Sequence, residues 1–251
     1  SRDEIWGMPP IDKAACQEIF DGMTYEGIFT PPGYQTTLAY PGLGGGSNWG
    51  SVSINPETGI ALANSMRVPY TMQLVPREQL EGKGAGPDQV GMNLQLGTPY
   101  VVVRGAFLSP WGTPCVEPPW ASVRAIDLNT GKTLWDKPIG TLNNLAPLGM
   151  GDWFEWGGPN TGGSLQTKTG LAFIAATMDG YFRALDMRTG DELWRFELPV
   201  PAQATPMTYR AKNGGRQYVA ISAGGHGPLA AAVALGAQEK LNTLIGETLV
   251  V

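Results

Sequence analysis

A twelve-residue phrase occurs twice in this chain, as Arg124-Ala-Ile-Asp-Leu-Asn-Thr-Gly-Lys-Thr-Leu-Trp135 and as Arg183-Ala-Leu-Asp-Met-Arg-Thr-Gly-Asp-Glu-Leu-Trp194. Arg, Ala, Asp, Thr, Gly, Leu and Trp recur at the same places. An alternating strand, a Thr-Gly turn and a second strand closing on Trp describe one hairpin, and a hairpin used more than once is the mark of a repeat architecture such as a propeller. A second pair of echoes alternates with the first along the chain. Ser51-Val-Ser-Ile-Asn-Pro-Glu-Thr-Gly-Ile-Ala-Leu-Ala-Asn64 and Ser164-Leu-Gln-Thr-Lys-Thr-Gly-Leu-Ala-Phe-Ile-Ala175 each place a strand on either side of Thr-Gly. Each blade therefore combines an inner hairpin of the second kind with an outer hairpin of the first.

The 35 Gly and 21 Pro among 251 residues are spread through apolar runs, which implies many turns between short strands and an all-β class. The clean copy runs from Ser164 to Trp194, with turns at Thr169-Gly170, Met178-Asp-Gly180 and Thr189-Gly190. The earlier copy is stretched by a polar insertion around Glu81-Gly-Lys-Gly-Ala-Gly-Pro87 and a Pro-rich one from Ser109 to Trp120, and such insertions often carry function. Ala204–Tyr209 and Gln217–Ser222 read as a last pair of strands. Only Ile11 to Phe20 has helical spacing, with Ile11, Ala14, Ala15 and Ile19 on one face. The whole chain, 1–251, reads as about four blade-like units, against the roughly 4 to 8 with which propellers close.

A formal net charge of −5 argues against a nucleic-acid partner, since phosphate binding needs a basic surface. No run of about 18 apolar residues is present, and Ser1-Arg-Asp-Glu4 has no leader character, as expected of a soluble chain trimmed at its N-terminus. Cys16 and Cys115 suit either one disulfide in an oxidising compartment or two buried thiols. Two Cys and one His at scattered positions do not make a zinc ligand set.

The Trp-terminated phrases are scaffold. Ala125 and Ala184 fit tight inter-strand contacts, Asp127 and Asp186 can bond the turn backbone, and Trp135 and Trp194 offer flat faces to a neighbouring blade. Other residues break the pattern. Asn64 closes the apolar strand Ile60-Ala-Leu-Ala63 where the repeat has Ala175; it is either a site residue or a strand-end Asn bonded to its own backbone. Asn48-Trp49 follows the flexible Gly44-Gly-Gly46, and in the repeat the Asn recurs at Asn160-Thr-Gly162 while the Trp does not. His226, the only histidine, sits among Gly224, Gly225 and Gly227, which would let it project into a cleft or simply lie on the surface. Asp152-Trp-Phe-Glu155-Trp156 combines carboxylates and aromatics on what reads as a rim.

The paired Ala-x-Asp-x-x-Thr-Gly-x-x-x-Trp motifs resemble the tryptophan-docking motifs of quinoprotein dehydrogenases, eight-bladed propellers that bind pyrroloquinoline quinone (PQQ). Tyr25-Glu-Gly-Ile-Phe-Thr-Pro-Pro32, Tyr40-Pro-Gly42, Leu74-Val-Pro-Arg77, Leu108–Cys115, Gln203–Tyr209 and Ile221-Ser-Ala-Gly-Gly-His-Gly227 are similar to the membrane-associated glucose, quinate and shikimate branch. The resemblance implies about four of eight blades, the C-terminal part of a ring whose remaining blades hold the catalytic groups and the metal ligands, so no residue here inherits those roles. It implies Asn64, Asn48 and Trp49 beside PQQ and His226 beside the substrate. It further implies a sugar, polyol or cyclitol substrate, a calcium or magnesium ion held mainly by the absent half, ubiquinone as electron acceptor, and a periplasmic protein attached to the inner membrane through a region not in this chain. A non-catalytic propeller that scaffolds outer-membrane protein assembly would share the Asp/Thr-Gly/Trp phrases, but not Asn48-Trp49, Asn64 and Gly-Gly-His-Gly together.

Overall fold

The computed structural model describes residues 1–8, 10–42, 44–79, 92–141, 155–225 and 248–251. Within them lie one α-helix, α1 (Pro10–Asp21), and the strands β1 (Thr37–Ala39), β2 (Val52–Asn55), β3 (Ile60–Met66), β4 (Tyr70–Pro76), β5 (Met92–Asn93), β6 (Tyr100–Ala106), β7 (Ala121–Asp127), β8 (Lys132–Pro138), β9 (Ser164–Gln166), β10 (Leu171–Ile174), β11 (Tyr181–Asp186), β12 (Glu192–Glu197), β13 (Met207–Arg210), β14 (Gln217–Ala223) and β15 (Thr248–Val250). The strands form four antiparallel sheets, in the orders β1-β4-β6-β5, β2-β3-β7-β8, β9-β10-β11-β12 and β13-β14-β15. The chain divides into two compact units. One holds Ser1–Gly44 and Arg67–Glu117, and the other holds Gly45–Met66, residues 118–225 and β15.

The larger unit contains the repeat. Inner and outer hairpins join side by side into single four-stranded sheets, β2-β3 with β7-β8 and β9-β10 with β11-β12. Their turns close as the Thr-Gly signal requires: Gly59, Gly131, Gly170 and Gly190 all have positive φ, which glycine adopts without the cost a Cβ would add. Asp127 Oδ1 accepts from Asn129 N at 2.8 Å and Asp186 Oδ1 from Arg188 N at 2.7 Å, so each phrase locks its own turn.

Between these two sheets Ile60, Leu62, Val123, Ala125, Ile139, Ala172, Ile174, Leu185 and Met187 are buried together. Ala125 and Ala172 are fully buried in this core. Trp135 packs against this core, donating from Nε1 to Met187 O at 3.0 Å, and a Cβ on Gly190 would stand 2.7 Å from its indole ring. One blade's tryptophan thus docks on the next blade's Thr-Gly turn. Trp194 behaves differently. It stacks on Phe196, with centroids 6.2 Å apart, edges against Phe182, and is 46% exposed. A second core, Ala175, Phe182, Leu198, Ala202, Ile221 and Ala223, joins the second sheet to β13-β14-β15.

The smaller unit corrects the expected outline of the first blade. After β3 the chain does not merely lengthen two loops: residues 67–117 supply β4, β5 and β6 before β7 resumes the blade. Pairing of β4 with β6 is continuous from Tyr70↔Ala106 to Pro76↔Tyr100. Its core is Ile5, Cys16, Leu38, Phe107 and Cys115, and Cys16 and Cys115 form a disulfide across a sequence separation of 99. α1 extends the expected Ile11 to Phe20 by one residue at each end. Among the described residues no helix is long and apolar enough to cross a membrane. The polar stretch around 81–87 lies outside the described residues.

Candidate functional site

The inner strands of the three blades superpose by register. Ala63 pairs with Val52, Ile174 with Ser164, and Ala220 with Met207. The next residues are therefore equivalent: Asn64, Ala175 and Ile221. All three are buried, at 4%, 1% and 1% exposure, so an amide occupies a position that the other blades fill with hydrocarbon. Burying an amide is costly unless its groups are bonded. Asn64 Nδ2 donates to Asn160 Oδ1 at 2.6 Å and to Gly162 O at 2.7 Å, while Oδ1 has no partner and is shut off from solvent. The side chain does not bond its own backbone, and its donors are consumed, which leaves it able only to accept.

The loop carrying Asn48 and Trp49 runs along the end of β3. Ser47 Oγ donates to Asn64 O at 3.1 Å, and Met66 N donates to Gly46 O at 2.8 Å. Gly50 N reaches Thr161 O at 3.3 Å, and a Cβ on Gly50 would lie 2.2 Å from the carbonyl carbon of Gly162. Glycine at 50 and 162 is what allows backbone to lie on backbone here, bringing the Asn48 loop beside the Asn160 segment. Asn48 Oδ1 accepts from Trp49 N at 2.8 Å. Trp49 is 89% exposed, so it is no inter-blade packing residue among the described ones.

In the sequence Asn160 stands only as an echo of Asn48, and nothing local marks the amide of Gln203. Asn160 is 1% exposed, with Nδ2 unpartnered; Gln203 Oε1 accepts from Thr161 N at 3.0 Å and Oγ1 at 2.8 Å, with Nε2 unpartnered. The signal was available: Asn48, Asn160 and Gln203 each precede the first strand of a blade, at Val52, Ser164 and Met207, by the same interval.

The structure brings Asn64 together with the Asn48-Trp49 loop. His226 lies outside the described residues, as do Asp152, Trp153 and Phe154 of the expected rim. Trp156 instead edges against fully buried Trp120, with centroids 5.2 Å apart, and accepts from Trp120 N at 2.7 Å. Glu155 lines a cleft of about 400 Å³ with Lys137, Arg183, Asp191, Glu192 and Arg195. There Lys137 pairs with Asp191 at 2.6 Å, and Arg183 with Glu192 at 3.0 Å and with buried Asp179. Charge in the cleft is balanced internally. The bonds from Lys137 and Thr189 hold the Asp191 carboxyl below the usual range. Among the described residues no group of three or more His, Cys, Asp or Glu could hold a metal ion.

Inner and outer hairpins in successive antiparallel blades, a tryptophan seated on the next blade's turn and amides gathered at the inner strand ends define a quinoprotein-type propeller segment. The beta-propeller domain of PQQ-dependent glucose, ethanol and alcohol dehydrogenases matches residues 1–219, and the chain belongs to that family. It is 43% identical over 233 residues to quinoprotein glucose dehydrogenase of Escherichia coli K12, covering 89% of this chain and 29% of that protein. It is 40% identical to a probable quinate dehydrogenase (quinone) of Xanthomonas campestris pv. juglandis, covering 90% of this chain and 29% of the relative. A europium-containing methanol dehydrogenase shares the fold, with a TM-score of 0.54 at 21% identity over 85% of this chain and 34% of that one. The chain thus spans under a third of the length of the glucose and quinate dehydrogenases and about a third of the methanol dehydrogenase.

Proposed function

We propose that this chain forms one wall of the PQQ site in a dehydrogenase that oxidises a hydroxyl of a sugar, polyol or cyclitol. Asn64 carries the proposal. A buried amide stands where Ala175 and Ile221 stand in the sister blades, and its carbonyl oxygen is left without a partner. Buried polar atoms in native proteins are nearly always paired, so an unpaired one beside a glycine-lined backbone contact calls for a ligand group or an ordered water. The atoms left over here, the acceptor of Asn64 and the donors of Asn160 and Gln203, match a flat molecule rich in carbonyl and carboxylate oxygens that also carries a ring N–H. PQQ is such a molecule.

When bound, the quinone supplies the two-electron oxidant. The residues of this chain then act by holding and orienting. Asn64 Oδ1 would accept a hydrogen bond from the cofactor, Asn48 and Trp49 would be further cofactor contacts, and His226 would contact the substrate hydroxyls. A calcium or magnesium ion, if the protein uses one, is held by blades outside these residues. The relatives named for glucose and for quinate support a polyhydroxy substrate, and the word quinone in the second name supports transfer of electrons to ubiquinone. The Cys16–Cys115 disulfide suits the oxidising periplasm, with attachment to the inner membrane through another part of the polypeptide.

The test is a dye-reduction assay on the complete protein that carries this chain, with PQQ and calcium added and with glucose, polyols and quinate as substrates. PQQ-dependent reduction with at least one of them is expected. No reduction and no PQQ binding would instead favour a propeller that serves as a protein-assembly scaffold.

A further inference from the structure

Amide side chains have one end that donates and one that accepts, and the fold decides which end is left over. At Asn64 the choice is forced by a backbone carbonyl: Gly162 O can only accept, so Nδ2 turns toward it at 2.7 Å. The second hydrogen of Nδ2 goes to Asn160 at 2.6 Å, which requires Asn160 to present Oδ1 there and leaves its Nδ2 free. At Gln203 a backbone donor forces the same outcome. Thr161 N can only donate, so Oε1 turns toward it at 3.0 Å, and Nε2 is left over. Both leftover NH2 groups are shut off from solvent without a partner, and Asn160 as a whole is 1% exposed.

We propose that Asn160 and Gln203, at equivalent places in successive blades, are a pair of cofactor-facing hydrogen-bond donors, with their oxygens spent on the fold and their NH2 groups reserved for oxygen atoms of the bound quinone. The inference rests on the PQQ reading above. It divides the labour of the site: Asn64 accepts, and Asn160 and Gln203 donate. Neither donor carries charge, so the pair can hold carboxylate or carbonyl oxygens without a counter-ion of its own.

Asn160→Asp and Gln203→Glu keep the oxygen that the fold uses and replace the NH2 group by a second oxygen. The measurement is the dissociation constant for PQQ, by fluorescence titration of the complete apoprotein, with the thermal midpoint of the apoprotein as a check on folding. Each substitution is expected to weaken PQQ binding by about tenfold or more, since a donor is lost and an acceptor is set against an acceptor. If one variant does not fold, the other, in a different blade, decides. Wild-type affinity in the folded variants, within about twofold, overturns the inference and assigns the NH2 groups to ordered water. Failure of the wild-type protein to bind PQQ overturns the reading beneath it, a result distinguishable from the first.

Discussion

Asn64 combines a structural role with the cofactor contact proposed for it. Its Nδ2 ties β3 to the Asn160–Gly162 segment of the next blade, and its Oδ1 is buried without a partner. Asn64→Ala should therefore strand two buried acceptors, Gly162 O and Asn160 Oδ1, and lower stability by about 1–3 kcal/mol in urea unfolding, while also weakening PQQ binding. Its departure from the repeat was legible because an amide interrupts an apolar strand. Its polarity as an acceptor was not, because that depends on a backbone carbonyl 98 residues away in sequence. The same holds for Gln203, whose unpartnered end is defined only by Thr161. Tyr70 offers a separate check: burial pushes its phenol up to about 12, with Arg104 pulling slightly back. Because the folded value exceeds the unfolded value of about 10, stability from the neutral phenol is whole below pH 10 and is lost as pH rises toward 12. Tyr70→Phe should flatten that alkaline loss, as read by unfolding free energies across this window.

At the scale of elements, the repeat determined the hairpins and their turns because Thr-Gly and Asp act within a few residues of themselves. Docking between elements is less uniform than the repeat suggests. Trp135 sits on Gly190 and bonds Met187 O, whereas Trp194 is nearly half exposed on its own sheet. Trp135→Ala should cost about 3 kcal/mol or more, and Trp194→Ala distinctly less, in chemical unfolding of the same protein. Gly190→Ala should approach the Trp135 value, since a Cβ would both strain a φ of +73° and enter the space of the indole. Strands β4 and β6 were not legible as a sheet. They pair across the segment 77–99, too long for a single hairpin turn to link them, and an alternating run far from its partner is hard to tell from a loop edge.

Across the whole molecule, the sequence carried the all-β class, the family resemblance and about four units, and the structure resolves these into three blade sheets and one further sheet in a separate compact unit. The disulfide could not be read from spacing, because Cys16 and Cys115 meet only when α1 packs beside the segment after β6. Replacing both cysteines by serine should lower the stability of the smaller unit by about 2–5 kcal/mol, and reduction of the wild-type protein should do the same. The central claim is that the amide-lined ends of these blades form a wall of a PQQ site. Its most direct test is equilibrium titration of the complete apoprotein with PQQ, comparing wild type with Asn64→Ile, which copies the residue of the third blade. Saturable binding by the wild type and binding weaker by about tenfold in the variant is the expected result. Equal affinity in the two proteins, with both folded, would contradict it.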